Sequence, residues 1–227
     1  MIQFYYNGAP NPMKVALFLE ESGLEYEPIP LDTRAGDQHE PEFKSLNPNA
    51  KAPTIVDGET IVFDSNAILL YLAEKTGKFL PSQDRDRGEL LSWLMFVATG
   101  IGPYSGQCVH FRHVAPQPKD YALNRYDFEA DRHFKIVDDR LSRNHYMLGD
   151  EYTIVDMALW GWARMVPYIL GDNAMADYAN LKRFMDEINA RPAAGRAEAL
   201  KSRHAFKTEM DAEAHRAMFP QNERLAS

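Results

Sequence analysis

Asp64 and Ser65 stand where an apolar-periodic run begins, at the expected start of a helix. A helix N-terminus leaves main-chain N–H groups unpaired and partly positive, so it suits a carboxylate. The Ser65 hydroxyl and N–H add donors, and the Asp64 carboxylate can meet an ammonium group. Plain helix capping by the same two residues is the competing reading. Just upstream, Pro53 opens a short strand that Asp57-Gly58 turns back into a second one. That builds an edge to which a short extended peptide can pair. Asn11, near the start of an earlier helix, offers a side-chain amide beside another positive helix end. Together these can stabilise a thiolate, although Asn11 can also simply cap its helix. The chemistry these residues allow is the holding of a small peptide with charged ends and a reactive sulfur.

The elements that must position these groups follow from periodicity. Ile2, Phe4 and Tyr6 alternate with Gln3 and Tyr5, a strand pattern. Pro12 sits just inside a helix start; Val15, Phe18 and Leu19 face inward, and Gly23 stops the helix. Residues 26–31 form a second strand, expected parallel to the first across this βαβ unit. Residues 40–46 make a short helix, and residues 53–56 and 60–63 a hairpin. A helix over 65–76 buries Ile68, Leu69, Leu72 and Ala73 and closes at Gly77. After a polar linker at 81–86 the pattern is helical, over 87–111, 119–142, 153–170 and 177–190. A shorter piece follows around Pro192 and Gly195, then a helix over 206–218 and an irregular tail after Pro220. The expected domains are 1–80, mixed α/β, and 87–227, all-helical with a C-terminal tail.

Bulk composition narrows the function. The net charge of −8, with no lysine or arginine run, argues against nucleic acid and anionic membranes. No apolar run approaches a membrane span, and Met1-Ile2-Gln3-Phe4 lacks a basic start and a cleavable apolar stretch. Cys108 is the single cysteine, so there is no internal disulfide and no Cys-x-x-Cys pair. A cytoplasmic protein is the expectation. His110 and His113 lack companions at zinc-site spacing, and no metal is expected.

The order βαβ, ββα, then helices resembles the glutathione S-transferases. The strings Ala9-Pro10-Asn11, Gly36-Asp37-Gln38, residues 47–53 (NPNAKAP), residues 63–72 (FDSNAILLYL), Gly102-Pro103, Gly106-Gln107 and His110-Phe111 are similar to the bacterial Nu class and its yeast nitrogen-regulator relative. The resemblance implies a thioredoxin-like N-terminal domain, an all-helical C-terminal domain and a homodimer. It implies a cis bond before Pro53 that turns the Ala52 N–H and C=O outward to pair with glutathione. It places Ser65 on the γ-glutamyl carboxylate, Asp64 on its ammonium, and Lys51 and Gln38 on the glycyl carboxylate. Arg132 is the position of a glutathione-contacting arginine, against the alternative of an ion pair with Glu129. Asn11 faces sulfur, with Tyr5 as rival because other classes use a strand tyrosine. A lone helical cysteine such as Cys108 is most often inert and buried. Ala9 stands where the Nu class commonly has threonine, so one hydroxyl donor is missing, and Asp64 is one methylene shorter than the usual glutamate.

Residues 93–111, among them Phe96, Pro103, Gln107 and His110, are expected to wall a second-substrate pocket. Thr153 and Asp156 match a capping-box spacing with a structural role only. The implied activity is reduction of disulfides, and of organic peroxides, by a bound glutathione thiolate without a protein cysteine. Conjugation of glutathione to electrophiles, or glutathione binding without turnover, are the alternatives.

Overall fold

The computed structural model describes residues 1–116 and 119–225, apart from the side chains of Glu223 and Leu225. Strand β1 (Ile2–Tyr6), helix α1 (Pro10–Ser22) and strand β2 (Tyr26–Pro30) form the expected βαβ unit, with β1 and β2 parallel. Helix α2 (Pro41–Leu46), the hairpin β3 (Thr54–Asp57) and β4 (Thr60–Phe63), and helix α3 (Ser65–Thr76) complete the layer. The sheet order is β2-β1-β3-β4, antiparallel from β1 onward. The hairpin loop is Gly58-Glu59, one residue later than expected, and Gly58 supplies the positive φ of +62° the turn requires. Gly23 and Gly77 end α1 and α3 in the left-handed conformation, as their positions foretell.

Beyond α3 the regular elements among the described residues are helices, apart from isolated bridges of Tyr146 with Gly149 and Leu148 with Glu151. Helix α4 (Arg87–Phe96), a π-helical turn (Val97–Ile101), α5 (Gly102–Val109) and a second π-helical turn (His110–Val114) run on from one another. Then come α6 (Asp120–Arg143), α7 (Ile154–Ala163), α8 (Val166–Leu170), α9 (Ala179–Asn189), α10 (Pro192–Ala199) and α11 (Ala212–Met218). The expected helix over 153–170 is two helices. Pro167 lacks the N–H that would bond back to Ala163, and the chain breaks at Arg164-Met165. The helix expected over 206–218 begins only at Ala212, where the Asp211 carboxylate caps the Ala214 N–H at 2.8 Å. Beyond it a 3-10 turn spans Pro220–Leu225, and the last two residues of the expected irregular tail lie outside the described residues.

Helix α7 is the buried centre of the helical part, with every residue from Ile154 to Ala163 buried. It also packs across the junction on α1. Arg191 and Arg196 close that junction with ion pairs to Glu21 and Glu20 of α1. The capping box is present: the Asp156 carboxylate accepts from the Thr153 N–H at 2.8 Å and, with its other oxygen, from the Met147 N–H at 2.8 Å. Burial nevertheless pushes the Asp156 acid up to about 6. Replacing Asp156 with alanine strands buried donors at two sites. We expect a loss of about 2–3 kcal/mol in urea unfolding, and a loss below 0.5 kcal/mol contradicts this account of the helix start.

Candidate functional site

One cleft of about 840 Å³ lies at the junction of the two layers. Asn11, Gln38, Lys51, Ala52, Asp64, Ser65, Pro103, Gln107 and His110, all singled out from the sequence, line it. The Ala52–Pro53 bond is cis. Ala52 lies on the cleft wall before the first ladder residue of β3, Thr54, while Pro53 is buried behind it. This turn is braced by Asn47, a buried residue to which sequence reading gave no role. Its amide N–H groups reach the Lys51 carbonyl at 2.8 Å and Thr54 Oγ1 at 3.1 Å, and its Oδ1 accepts from the Asn49 N–H at 2.9 Å. The asparagine two residues ahead of Asn49, in a loop of small residues, was the available signal.

Helix α3 begins at the cleft with Ser65. Asp64 holds φ at +72°, a left-handed conformation costly for a side-chain-bearing residue, and its Oδ1 accepts from the Asn66 and Ala67 N–H groups at 2.9 and 3.2 Å. The capping reading of Asp64 is therefore realised on the cleft wall itself. Ser65 Oγ meets a group the sequence did not reveal: Lys14. Its Nζ donates to Ser65 Oγ at 3.3 Å and to Asn66 Oδ1 at 3.4 Å from a site only 1% exposed. On α1 a lone lysine among apolar residues reads as a polar-face residue. Here it runs beneath the start of α3, and Gly161 of α7 makes room for its stem.

Burial pulls the Lys14 ammonium down to about 7, against a smaller upward pull from Asp64. A lysine depressed in the folded state carries its full burial cost below that value, where both states are protonated. The cost fades as pH rises toward the unfolded value of 10.5. We expect wild-type stability, measured against Lys14→Met, to be flat below pH 7 and to climb from pH 7 toward 10.5. Urea unfolding at a series of pH values reads this, and a difference that stays constant across the window contradicts it.

Asn11 occupies the first turn of α1, whose capping position belongs to Ala9; the capping role is thus not its own. Within Pro10-Asn11-Pro12 only Asn11 retains a main-chain N–H. Its side-chain Oδ1 accepts from Trp162 Nε1 at 3.0 Å. Tyr5 points to the other face of β1 and packs on Phe43 at 5.6 Å, so it takes no part in the cleft. Strand alternation with Phe4 and Tyr6, both fully buried, explains why.

Three expectations need correction in place. Gln38 lines the cleft, but its amide donors go to the Thr33 carbonyl at 3.2 Å and the Ala217 carbonyl at 2.9 Å, leaving only a buried Oε1 without a partner. Arg132 is not on the cleft. It lies on the outer side of α6 beside Phe128 and Lys135, and its guanidinium pairs with Glu129 at 2.9 Å, the competing ion pair. That pairing, with Arg125 assisting, holds the Glu129 carboxyl below the usual range. Phe96 turns away to pack on Trp93 and His133, and Val97 and Ala98 take its place on the wall.

The roof of the cleft is the C-terminal tail. Met218, Phe219, Pro220 and Gln221 line it, and the Phe219 ring lies 4.9 Å from that of His110. Fastenings run back to the first layer. The Arg34 guanidinium donates to the Lys207 and Thr208 carbonyls at 3.0 and 2.9 Å, the Lys207 N–H donates to Asp32 at 2.5 Å, and the His39 ring pairs with the Ala217 carbonyl at 2.8 Å. Burial lowers the His110 imidazole, which favours its neutral form. Cys108, next to Gln107 on α5, does not line the cleft and is fully buried, with Sγ donating to the Ile169 carbonyl at 3.3 Å; burial raises its thiol. It is an inert packing residue.

A thioredoxin-like layer with a cis-proline edge beside a helix N-terminus, joined to a helical domain, defines a class of protein, and the comparisons agree. The glutathione S-transferase N-terminal domain matches residues 2–74, and the glutathione S-transferase C-terminal domain matches residues 104–192. The disulfide-bond oxidoreductase YfcG of Escherichia coli K12 is 42% identical over 204 residues, 87% of this chain and 94% of that protein. A glutathione transferase of Pseudomonas fluorescens Pf-5, crystallised with two glutathiones bound, superposes with a TM-score of 0.83 at 36% identity, covering 87% of this chain and 92% of that one. Another from Pseudomonas putida, with one glutathione disulfide bound per subunit, gives 0.82 at 35% identity, covering 87% and 90%. The chain belongs to the glutathione S-transferase family.

Proposed function

We propose that this protein reduces disulfides with glutathione, using no cysteine of its own. The observation that carries the reading is the convergence of Asn11, Ala52 and Ser65 on one cleft while the sole cysteine is buried outside its lining. A tripeptide with an extended backbone fits the Ala52 edge, its γ-glutamyl carboxylate the start of α3, and its sulfur the Asn11 end of α1. Two exchanges complete the reaction. A glutathione thiolate attacks one sulfur of the substrate disulfide, expelling the other as thiolate. A second glutathione thiolate then attacks the mixed disulfide, releasing the second substrate thiol and glutathione disulfide. At about 840 Å³ the cleft is near the top of the usual range for one ligand, ~300–1,000 Å³. Its size supports room for a second glutathione-sized occupant, and the glutathione transferase of Burkholderia graminis carries two glutathione molecules per subunit.

The protein's part is positioning and stabilisation of the thiolate. Lys51, exposed at the rim, is the group for the glycyl carboxylate. Organic peroxide reduction by the same thiolate belongs to this reading. The apolar wall of Val97, Pro103, Met218 and Phe219 favours a second reading, conjugation of glutathione to apolar electrophiles. A homodimer is supported by exposed apolar side chains, Ile61 and Phe63 on edge strand β4, Met95 on α4 and Phe128 on α6. Arg132 beside Phe128 is then proposed as an interface residue.

Steady-state reduction of hydroxyethyl disulfide by glutathione tests the proposal. Turnover above background, retained in Cys108→Ala, is the expected result. Turnover of chlorodinitrobenzene alone selects conjugation.

A further inference from the structure

Trp162 belongs to α7, the core helix of the helical domain, yet its indole reaches the first turn of α1. It is 8% exposed, and its Nε1–H donates to Asn11 Oδ1 at 3.0 Å. An indole N–H only donates, whereas an amide has one accepting and one donating branch. The bond therefore forms in one orientation of the Asn11 amide and not in the other. Turning the amide over would set N–H against N–H at a nearly buried site and leave both donors unpaired. With Oδ1 held by the wall, Nδ2 is the branch left for the contents of the cleft, and no acceptor among the described residues takes it.

The indole's own place is prepared by two glycines four residues apart on α5. A Cβ on Gly102 would stand 3.2 Å from Trp162 Nε1, and one on Gly106 3.7 Å from its Cη2. The pair Gly102 and Gly106, read from sequence only as poor helix formers, opens the groove in which the ring lies. The ring is thus fixed from α5 and α7, and it in turn fixes a residue of α1.

We propose that Trp162 is a positioning residue for the thiol chemistry: it locks the Asn11 amide so that Nδ2, not Oδ1, faces the glutathione sulfur. This rests on the reading that Asn11 stabilises the thiolate. An amide oxygen turned toward a thiolate would repel it, whereas the N–H of a fixed amide stabilises it without reorganising.

The test uses Trp162→Phe, which removes the donor and keeps an aromatic ring, with Asn11→Ala and the double variant. The thiol of bound glutathione is titrated by its thiolate ultraviolet absorbance, alongside kcat/KM with hydroxyethyl disulfide. Trp162→Phe is expected to raise the bound thiol pKa by about one unit and to lower kcat/KM roughly 10- to 100-fold. The double variant should be no worse than Asn11→Ala alone. A Trp162→Phe enzyme with wild-type thiol pKa and turnover, beside an impaired Asn11→Ala, overturns the inference and leaves the proposed function standing. An Asn11→Ala enzyme that is itself unimpaired sinks the underlying reading of Asn11. Should Trp162→Phe not fold, wild-type protein decides. One indole N–H resonance must follow the pH titration of bound glutathione and ignore pH with S-methylglutathione; if none of the three indoles behaves so, the inference fails.

Discussion

Asn11→Ala is expected to lower kcat/KM for glutathione-driven reduction of hydroxyethyl disulfide by about 100- to 1,000-fold, the usual effect of losing a positioned donor to a developing or resident anion. The size of the effect follows from how few donors this helix end retains. Pro10 and Pro12 lack N–H groups, and Ala9 brings no hydroxyl, so Asn11 supplies both a main-chain and a side-chain donor. Alanine keeps the former and deletes the latter. The loss should fall mainly on kcat, since Ser65, Ala52 and Lys51, the groups proposed to hold the peptide, are untouched. Activity should recover partly at high pH, where the thiol ionises without help. Stability should fall by about 1 kcal/mol, because the Trp162 Nε1–H loses its acceptor at a nearly buried site. A kcat/KM within threefold of wild type would remove Asn11 from the chemistry and return attention to other donors on the cleft.

Gly161→Ala is expected to be among the most damaging single-methyl changes in the chain. A Cβ there would lie 2.5 Å from Lys14 Cγ and 2.6 Å from the Pro10 carbonyl oxygen. The second obstacle is main chain, so no rotamer relieves it, and α1 and α7 must move apart. Overpacking of this kind costs about 1–3 kcal/mol, and the main-chain obstacle puts this case at the upper end. The movement also displaces Pro10, Asn11 and Lys14 together, so glutathione affinity should fall with stability. Gly195→Ala is the matched control. It lies inside α10 with nothing within 4 Å of the added methyl. Alanine there should stabilise by about 0.5–1 kcal/mol through helix propensity. Urea midpoints for the two variants should move in opposite directions; equal midpoints would mean that the α1–α7 contact is looser than described.

Much of this was legible in the sequence where one residue type dictates one local geometry. Asp57-Gly58, Gly23 and Gly77 marked turns and helix ends, and the strings around Pro53 and Ser65 marked the cis-proline edge and the helix start beside it. What stayed hidden depends on which neighbour a side chain meets across the junction. Lys14 is indistinguishable in sequence from a solvated lysine, and only the proximity of α3 and α7 makes it a buried partner of Ser65. Trp162 reads as core, which it is, while its single polar atom serves the cleft. Arg132 and Gln38 carry the right chemistry, but carboxylate and carbonyl partners of their own hold them. Phe96 was lost for a geometric reason. A regular helix over 87–111 would align it with Pro103, Gln107 and His110, at spacings of seven, four and three. The π-helical turn at Val97–Ile101 adds a residue to one turn and rotates everything before it out of that phase.

That π-helical turn has a consequence at the level of insertions and deletions. One residue in an α-helix corresponds to about 100° of rotation. Deleting a single residue within Val97–Ile101 would let α4 and α5 run on as one regular helix, with their lengths and end contacts little changed. The face α5 offers to the cleft would swing by about that angle, withdrawing Pro103 and Gln107 and bringing neighbouring side chains forward. A one-codon change can therefore exchange the α5 part of the cleft wall at once, under an unchanged roof of Met218, Phe219, Pro220 and Gln221. The walls built on β3 and α3 would be left as they are, while Gly102 and Gly106 would move out from under the Trp162 ring and loosen its hold on Asn11.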